Sequence, residues 1–198
     1  MTRTLVIGTK NRRKCDEIVA ILRGLDLRVV GLGDYGDVPP VPEAETSFEE
    51  NARAKALGYA RATGEWCLAD DSGLEVDALG GRPGVLSSRW GGEEGNDDLN
   101  NRRLLSALAR HPKDAWTARY RCVVALATPD RVLEVTEGTC EGRITDRPAG
   151  SNGFGYDPYF RVPGRGCTMA ELPPETKDLL SHRGRALEAM KERLRKLL

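Results

Sequence analysis

The sequence predicts an α/β domain, and three observations carry that prediction. Short apolar runs alternate with stretches of helical spacing through the first third of the chain. The residues between them are Gly, Pro, Asn and Asp, the chemistry of turns and caps. The 198 residues contain no internal repeat, linker or low-complexity tract, so they read as one domain over 1–198.

Leu5-Val6-Ile7 reads as a short buried strand. Gly8-Thr9-Lys10-Asn11 leads from it into a helix with Asn11 as N-cap, Ile18, Ile21, Leu22 and Leu25 at helical spacing and Gly24 near its end. Leu27 to Val30 is a second strand, after which Pro39, Pro40 and Pro42 force an extended, irregular segment. Ser47 and Glu50 stand at capping-box spacing before a helix over roughly 46–63 that Gly64 stops. Trp66 to Ala69 is a strand ending in Asp70-Asp71-Ser72-Gly73, and Gly80 to Gly84 is a turn-rich loop. Asn96 to Arg110 is a helix with Leu99, Leu104, Leu105 and Leu108 as core contacts. Arg119 to Thr128 and Val132 to Gly138 are strands around the Pro129-Asp130 turn. A last helix from about His182 sets Leu187, Met190, Leu194 and Leu197 on one face.

Composition narrows the function classes. Lys plus Arg number 30 and Asp plus Glu number 30, and this zero balance argues against a dedicated nucleic-acid binder. Hydrophobic residues at 39% are too many for a disordered chain. No apolar run approaches the roughly 18 residues of a membrane span. Thr2 to Gly8 is too short and too soon interrupted by charge for a signal peptide, so a cytoplasmic protein is expected. Five dispersed cysteines, odd in number and never spaced C-x-x-C, fit reduced thiols better than a disulfide framework or a zinc site. Two histidines exclude a multi-histidine metal cluster.

Several segments carry chemistry, each beside a plainer reading. Thr9-x-Asn11-x-x-Lys14, with Arg12 and Arg13, joins a strand to a helix N-terminus and suits phosphate; the alternative is an ordinary N-cap with a solvated basic turn. Gly31-x-Gly33-x-x-Gly36 matches the dinucleotide fingerprint literally, but the prolines that follow forbid the helix it needs. Asp70 and Asp71 end a strand, point to opposite faces and so take different roles. One of them binds Mg2+ or activates a water, or both only cap an acidic turn. Glu50 either completes a hard-cation site with Asp71 or caps its helix. Gly150 to Pro158 sets Phe154 and Tyr156 between glycines, suited to base stacking or to anchoring a tight turn. Lys177 and Ser181-His182-Arg183-Gly184 offer a fork of donors, or a capped and solvated helix start. No G-x-S-x-G elbow and no H-E-x-x-H occurs, which removes serine hydrolase and zinc protease readings.

Taken in order, these segments resemble the inosine triphosphate pyrophosphatase family, the house-cleaning enzymes that remove deaminated purine nucleotides. The matching stretches are Thr9 to Lys14, Phe48-Glu49-Glu50-Asn51-Ala52, Ala69 to Leu74, Gly81-Arg82-Pro83-Gly84, Gly153 to Pro158, and Met169 to Leu172 through Lys177 to Gly184. The resemblance implies an α/β fold with an elongated, twisted mixed sheet, flanking helices and two lobes around a central cleft. It implies a homodimer, one or more Mg2+ per subunit, and hydrolysis of ITP, dITP or XTP to monophosphate and pyrophosphate, with neither nucleic acid nor membrane as partner. By residue, it makes Asp71 the proton acceptor and Glu50 with Asp71 the metal ligands. Thr9, Lys10, Asn11, Arg12, Arg13 and Lys14 would cradle the triphosphate, with Ser72 a further substrate contact. Phe154 would stack on the base while Gly155, Tyr156 and Asp157 close around it, and Lys177, His182 and Arg183 would bind the base end. A donor from His182 or Arg183 to a 6-oxo group would reject adenine. One departure is Leu86-Ser87-Ser88-Arg89, where the family often shows Tyr-Ser-Ala-Arg. The competing readings are a general nucleoside triphosphatase, a house-cleaning enzyme for modified pyrimidine nucleotides, and a nucleotide sensor without catalysis.

Overall fold

A computed structural model describes residues 2–198. Its six strands form one mixed sheet in the order β2-β1-β3-β4-β5-β6. The α/β class and the mixed sheet are as expected.

Strand β1 (Arg3–Ile7) pairs in parallel with β2 (Leu27–Gly31), Leu5 opposite Val29, and with β3 (Trp66–Val76), Leu5 opposite Trp66. Parallel neighbours need crossovers. Helix α1 (Arg12–Ile21) supplies the first and α2 (Phe48–Thr63) lies on the second. The Asn11 side chain caps α1, accepting from the amides of Arg13 (3.0 Å) and Lys14 (3.3 Å). Ser47 caps α2 through the Glu50 amide (3.1 Å), and Gly64 closes it in the left-handed conformation. After β2 the chain makes only a short 3-10 turn, Leu32–Tyr35, so no helix opens at the Gly31 motif.

Several elements run longer than their sequence signals. Strand β3 continues through Asp70-Asp71-Ser72-Gly73 to Val76 instead of turning there. Strands β4 (Thr117–Ala127) and β5 (Val132–Ile144) extend the predicted hairpin, with Thr128 and Arg131 bonded across its turn. Helix α3 (Asp97–Leu108) is capped by Asn96 and buries Leu104 and Leu108, whereas Leu99 and Leu105 are only partly covered. The two-residue strand β6 (Phe160–Arg161), antiparallel to β5, and the short helix α4 (Pro174–Leu180) lack a periodic signal of their own. Helix α5 (His182–Leu197) buries Leu187, Met190 and Leu194, but Leu197 is 38% exposed.

The chain forms two compact units. The first comprises the segment ending at Asp71 together with Cys122–Gly138 and Arg183–Leu198. Its core joins Leu5, Ile7, Ile18, Leu68, Val124, Leu187 and Met190. The second comprises Ser72–Arg121 and Thr139–His182, with Leu74, Leu104, Leu108, Phe160 and Met169 in its core. Burying each such side chain contributes about 1.5–3 kcal/mol. No disulfide joins any of the five cysteines, and Cys67, Cys122 and Cys140 are buried as small core residues. No helix among the described residues is long and apolar enough to cross a membrane.

Candidate active site

In the first unit, β3 carries Asp70 and Asp71 as neighbours in an extended chain, so their carboxylates leave opposite faces. Each meets its own partners. Asp71 accepts from Lys55 Nζ at 2.8 Å and from Asn51 Nδ2 at 2.9 Å. Both come from α2, one turn apart, on the face that also buries Ala52, Ala56 and Tyr59. Lys55 also reaches Glu43 Oε1 at 3.2 Å. Burial pushes the Asp71 carboxyl above its usual value, outweighing the Lys55 charge and the bonds it accepts. Burial opposes the Lys55 charge in turn, yet Asp71, Asp70 and Glu43 together hold its ammonium above the ordinary value. A carboxylate kept basic beside a fixed cation is suited to accept a proton.

Asp70 is 2% exposed and has a different setting. Lys14 donates to it at 3.0 Å, and the Arg183 guanidinium lies 3.4 Å away through two nitrogens. Arg183 Nη1 pairs with Glu17 on α1 at 2.5 Å. Burial alone would raise Asp70, but the charges of Lys14, Arg183 and Lys55 hold it well below the usual carboxylate range. It is therefore a fixed anion that orders cations around the middle of β3.

The basic turn before α1 divides by face. Lys14 and Glu17 turn toward Asp70 and Arg183. Thr9, Lys10, Arg12, Cys15 and Asp16 line an open pocket of about 530 Å3 with Gly31, Leu32, Gly33, Gly36 and Val38. Thr9 Oγ1 accepts from the Asn11 amide at 3.1 Å, and Asn11 in turn occupies two amides of the helix end. That end is an ordinary capped terminus whose exposed Lys10, Arg12 and Arg13 supply charge.

Glu50 does not join Asp71. It is exposed on the first turn of α2, and its carboxylate accepts from Thr46. The acid that shares Lys55 with Asp71 is Glu43, in the irregular segment before α2, where spacing carries no periodic signal. Among the described residues no group of three or more His, Cys, Asp or Glu side chains stands at metal-binding geometry. Glu43 and Asp71 are nevertheless hard oxygen donors held by one lysine, the ligand type that Mg2+ takes in ones and twos.

In the second unit, the Gly150–Pro158 loop is ordered from within. Asp157 Oδ2 accepts from the Phe154 amide (3.0 Å) and from Lys177 Nζ (2.9 Å). Lys177 also sits over the Phe154 ring, 4.8 Å from its centroid. Asp97 Oδ2 accepts from the Gly155 amide, and Asn101 donates to the Gly155 carbonyl. Tyr156 is buried and donates to the Ser87 carbonyl at 2.8 Å, so this aromatic anchors the loop while Phe154 stays half-buried. His182 is buried in this unit, stacked on Tyr120, and Ser72 is partly covered on β3. Arg183, one peptide bond further, has its charge partners in the first unit.

Gly153 is required where it stands. Its φ is +76°, and a Cβ there would lie 2.1 Å from Asp157 Oδ2. Gly153→Ala is expected to cost about 1–3 kcal/mol, because the strained backbone and the displaced carboxylate come together. Thermal unfolding should show a fall of several degrees; an unchanged Tm would contradict the packing described.

Residues 5–193 match the Ham1 family. The chain belongs to the Ham1 family. A dITP/XTP pyrophosphatase of Geobacter sulfurreducens is 50% identical over 98% of this chain and 97% of its own length. One of Streptomyces avermitilis is 44% identical with both chains fully covered. The solved structure of a HAM1 protein from Coxiella burnetii superposes with a TM-score of 0.90 at 38% identity, covering 98% of this chain and 99% of that one.

In this Ham1 chain, four polar residues beside the acids escaped sequence reasoning as site residues. Glu17 and Glu43 lie in segments whose charges look solvated. Asn51 and Lys55 did leave a signal: two polar residues four apart, among Ala and Tyr, on a face that is otherwise buried.

Proposed function

We propose that the chain is a nucleoside triphosphate pyrophosphatase that converts ITP, dITP and XTP to the monophosphate and pyrophosphate. The observation that carries this reading is near full-length identity of 44–50% to proteins named dITP/XTP pyrophosphatase, in a chain whose Asp71 is buried, basic and held by Lys55.

Asp71 takes a proton from the attacking water. The water oxygen bonds to the α-phosphorus, the bond from that phosphorus to the bridging oxygen breaks, and pyrophosphate leaves with the electron pair. Lys55 and Asn51 fix the Asp71 carboxylate during this step. Lys10, Arg12, Arg13 and Lys14 supply positive charge for the triphosphate, with Thr9 and Asn11 shaping the turn that carries them and Ser72 a further contact. We assign Mg2+ to Asp71 together with Glu43, since Glu50 is engaged with Thr46; the ion would neutralise phosphate charge. Phe154 offers its ring to the base, Lys177 and Asp157 hold that ring's loop, and His182 supplies a polar contact for the 6-oxo group. Arg183, pinned by two carboxylates, acts through Asp70 rather than as a free fork. A homodimer in the cytoplasm completes the proposal.

Product identity tests it. Purified protein with Mg2+ should release pyrophosphate from ITP and XTP, with ATP far slower. Orthophosphate as the product would reject attack at the α-phosphorus, and equal rates for ITP and ATP would reject the base site.

A further inference from the structure

Tyr120, on β4, is a buried residue of the second unit to which the proposed reaction gives no task. It is 6% exposed. Its ring lies almost parallel to the His182 imidazole, with centroids 4.6 Å apart and an interplanar angle of 11°. The same ring meets Phe160, itself fully buried, at 4.5 Å and 43°. Its hydroxyl lies against the Asp157 carboxylate without a hydrogen bond of good geometry. Burial first, and then the Asp157 charge, keep the phenol neutral.

These contacts bear on one degree of freedom. An imidazole turns about its outer torsion in a broad well, so nothing intrinsic fixes its plane. A hydrogen bond from its ring nitrogen weakens steeply once the angle departs from linear. A parallel aromatic partner, itself locked by Phe160, removes that freedom. Base stacking on Phe154 needs no such alignment, because every base has a π-face.

We infer that Tyr120 is a positioning residue for base selection: its ring sets the plane of His182 and thereby the preference for 6-oxo over 6-amino purines. The inference rests on the base site proposed above. It separates two ways of losing Tyr120. Tyr120→Phe keeps the ring and should keep the preference. Tyr120→Leu loses the stack and should lower the ITP-to-ATP ratio of kcat/KM about three- to tenfold. That loss should appear in KM for ITP rather than in kcat, since Asp71 is untouched.

The experiment measures kcat and KM for ITP and ATP in the wild type and both variants, alongside the imidazole NMR signals of His182, with His111 as the unstacked reference. In the wild type the His182 ring protons should be shifted upfield by the Tyr120 ring current, and Tyr120→Leu should abolish that shift. A wild type that treats ITP and ATP alike sinks the base site and this inference with it. A selective wild type whose Tyr120→Leu variant is equally selective overturns this inference alone. Equal losses in Phe and Leu variants would transfer the role to the hydroxyl and overturn the stacking argument. Should Tyr120→Leu fail to fold, an absent ring-current shift in the wild type overturns the inference by itself.

Discussion

Asp71→Asn is expected to lower kcat for ITP by about a thousandfold or more, the scale of a lost general base, while the protein remains folded. Asparagine has the same shape and keeps one acceptor oxygen, which can take the Lys55 donor, while its NH2 replaces the oxygen that accepts from Asn51. It cannot take a proton from water. Burial raises the folded-state pKa of Asp71 above its unfolded value, so its share of stability is fully present at low pH and is lost as pH rises through the folded value. At neutral pH the ionised carboxylate is thus a burden on the fold, and a neutral amide relieves it. Circular dichroism should match the wild type and Tm should stay close to it, the relieved charge offsetting the lost Asn51 bond. A folded Asp71→Asn protein with normal turnover would falsify the assignment of the base. An unfolded one would show that Lys55 needs the charge of Asp71 more than burial costs it.

The fold was legible because its early elements announce themselves locally. Asn11 and Ser47 cap where their spacing places them, and Gly64 ends α2 in the left-handed conformation only glycine takes easily. The failures share a cause. Asp70-Asp71-Ser72-Gly73 looks like a turn by composition, yet β3 runs through it, because its acids are matched by cations from α1, α2 and α5. Pairings between residues more than a hundred positions apart, such as Arg183 with Glu17, leave no mark on either segment alone. Glu50 shows the reverse case. Its local spacing was informative, and its helix-end geometry turned it to Thr46, while Glu43, with no pattern at all, took the place beside Lys55. Phe154 and Tyr156 were indistinguishable as aromatics between glycines, and only the Ser87 carbonyl decides which is the anchor.

Asp70→Asn is expected to be the most damaging change to stability. The carboxylate is nearly inaccessible and faces Lys14 and Arg183, and Arg183 is itself 2% exposed. Removing one partner of a buried ion pair leaves the other desolvated and uncompensated, at about 3–5 kcal/mol. Glu17 still holds Arg183, which sets the expectation toward the lower end. In a domain of this size such a loss lowers Tm by on the order of 10 °C. The pH dependence identifies the cause. Asp70 has a folded pKa depressed below its unfolded value, so its stabilisation is fully present above the unfolded value of about 3.9 and fades as pH falls toward the folded one. The difference in unfolding free energy between wild type and Asp70→Asn should therefore be constant near neutrality and narrow below about pH 4. Salt should change it little, since buried pairs are weakly screened. A gap that is small, or that does not narrow in acid, would mean that the cluster in the middle of β3 is held by packing and not by the charge of Asp70.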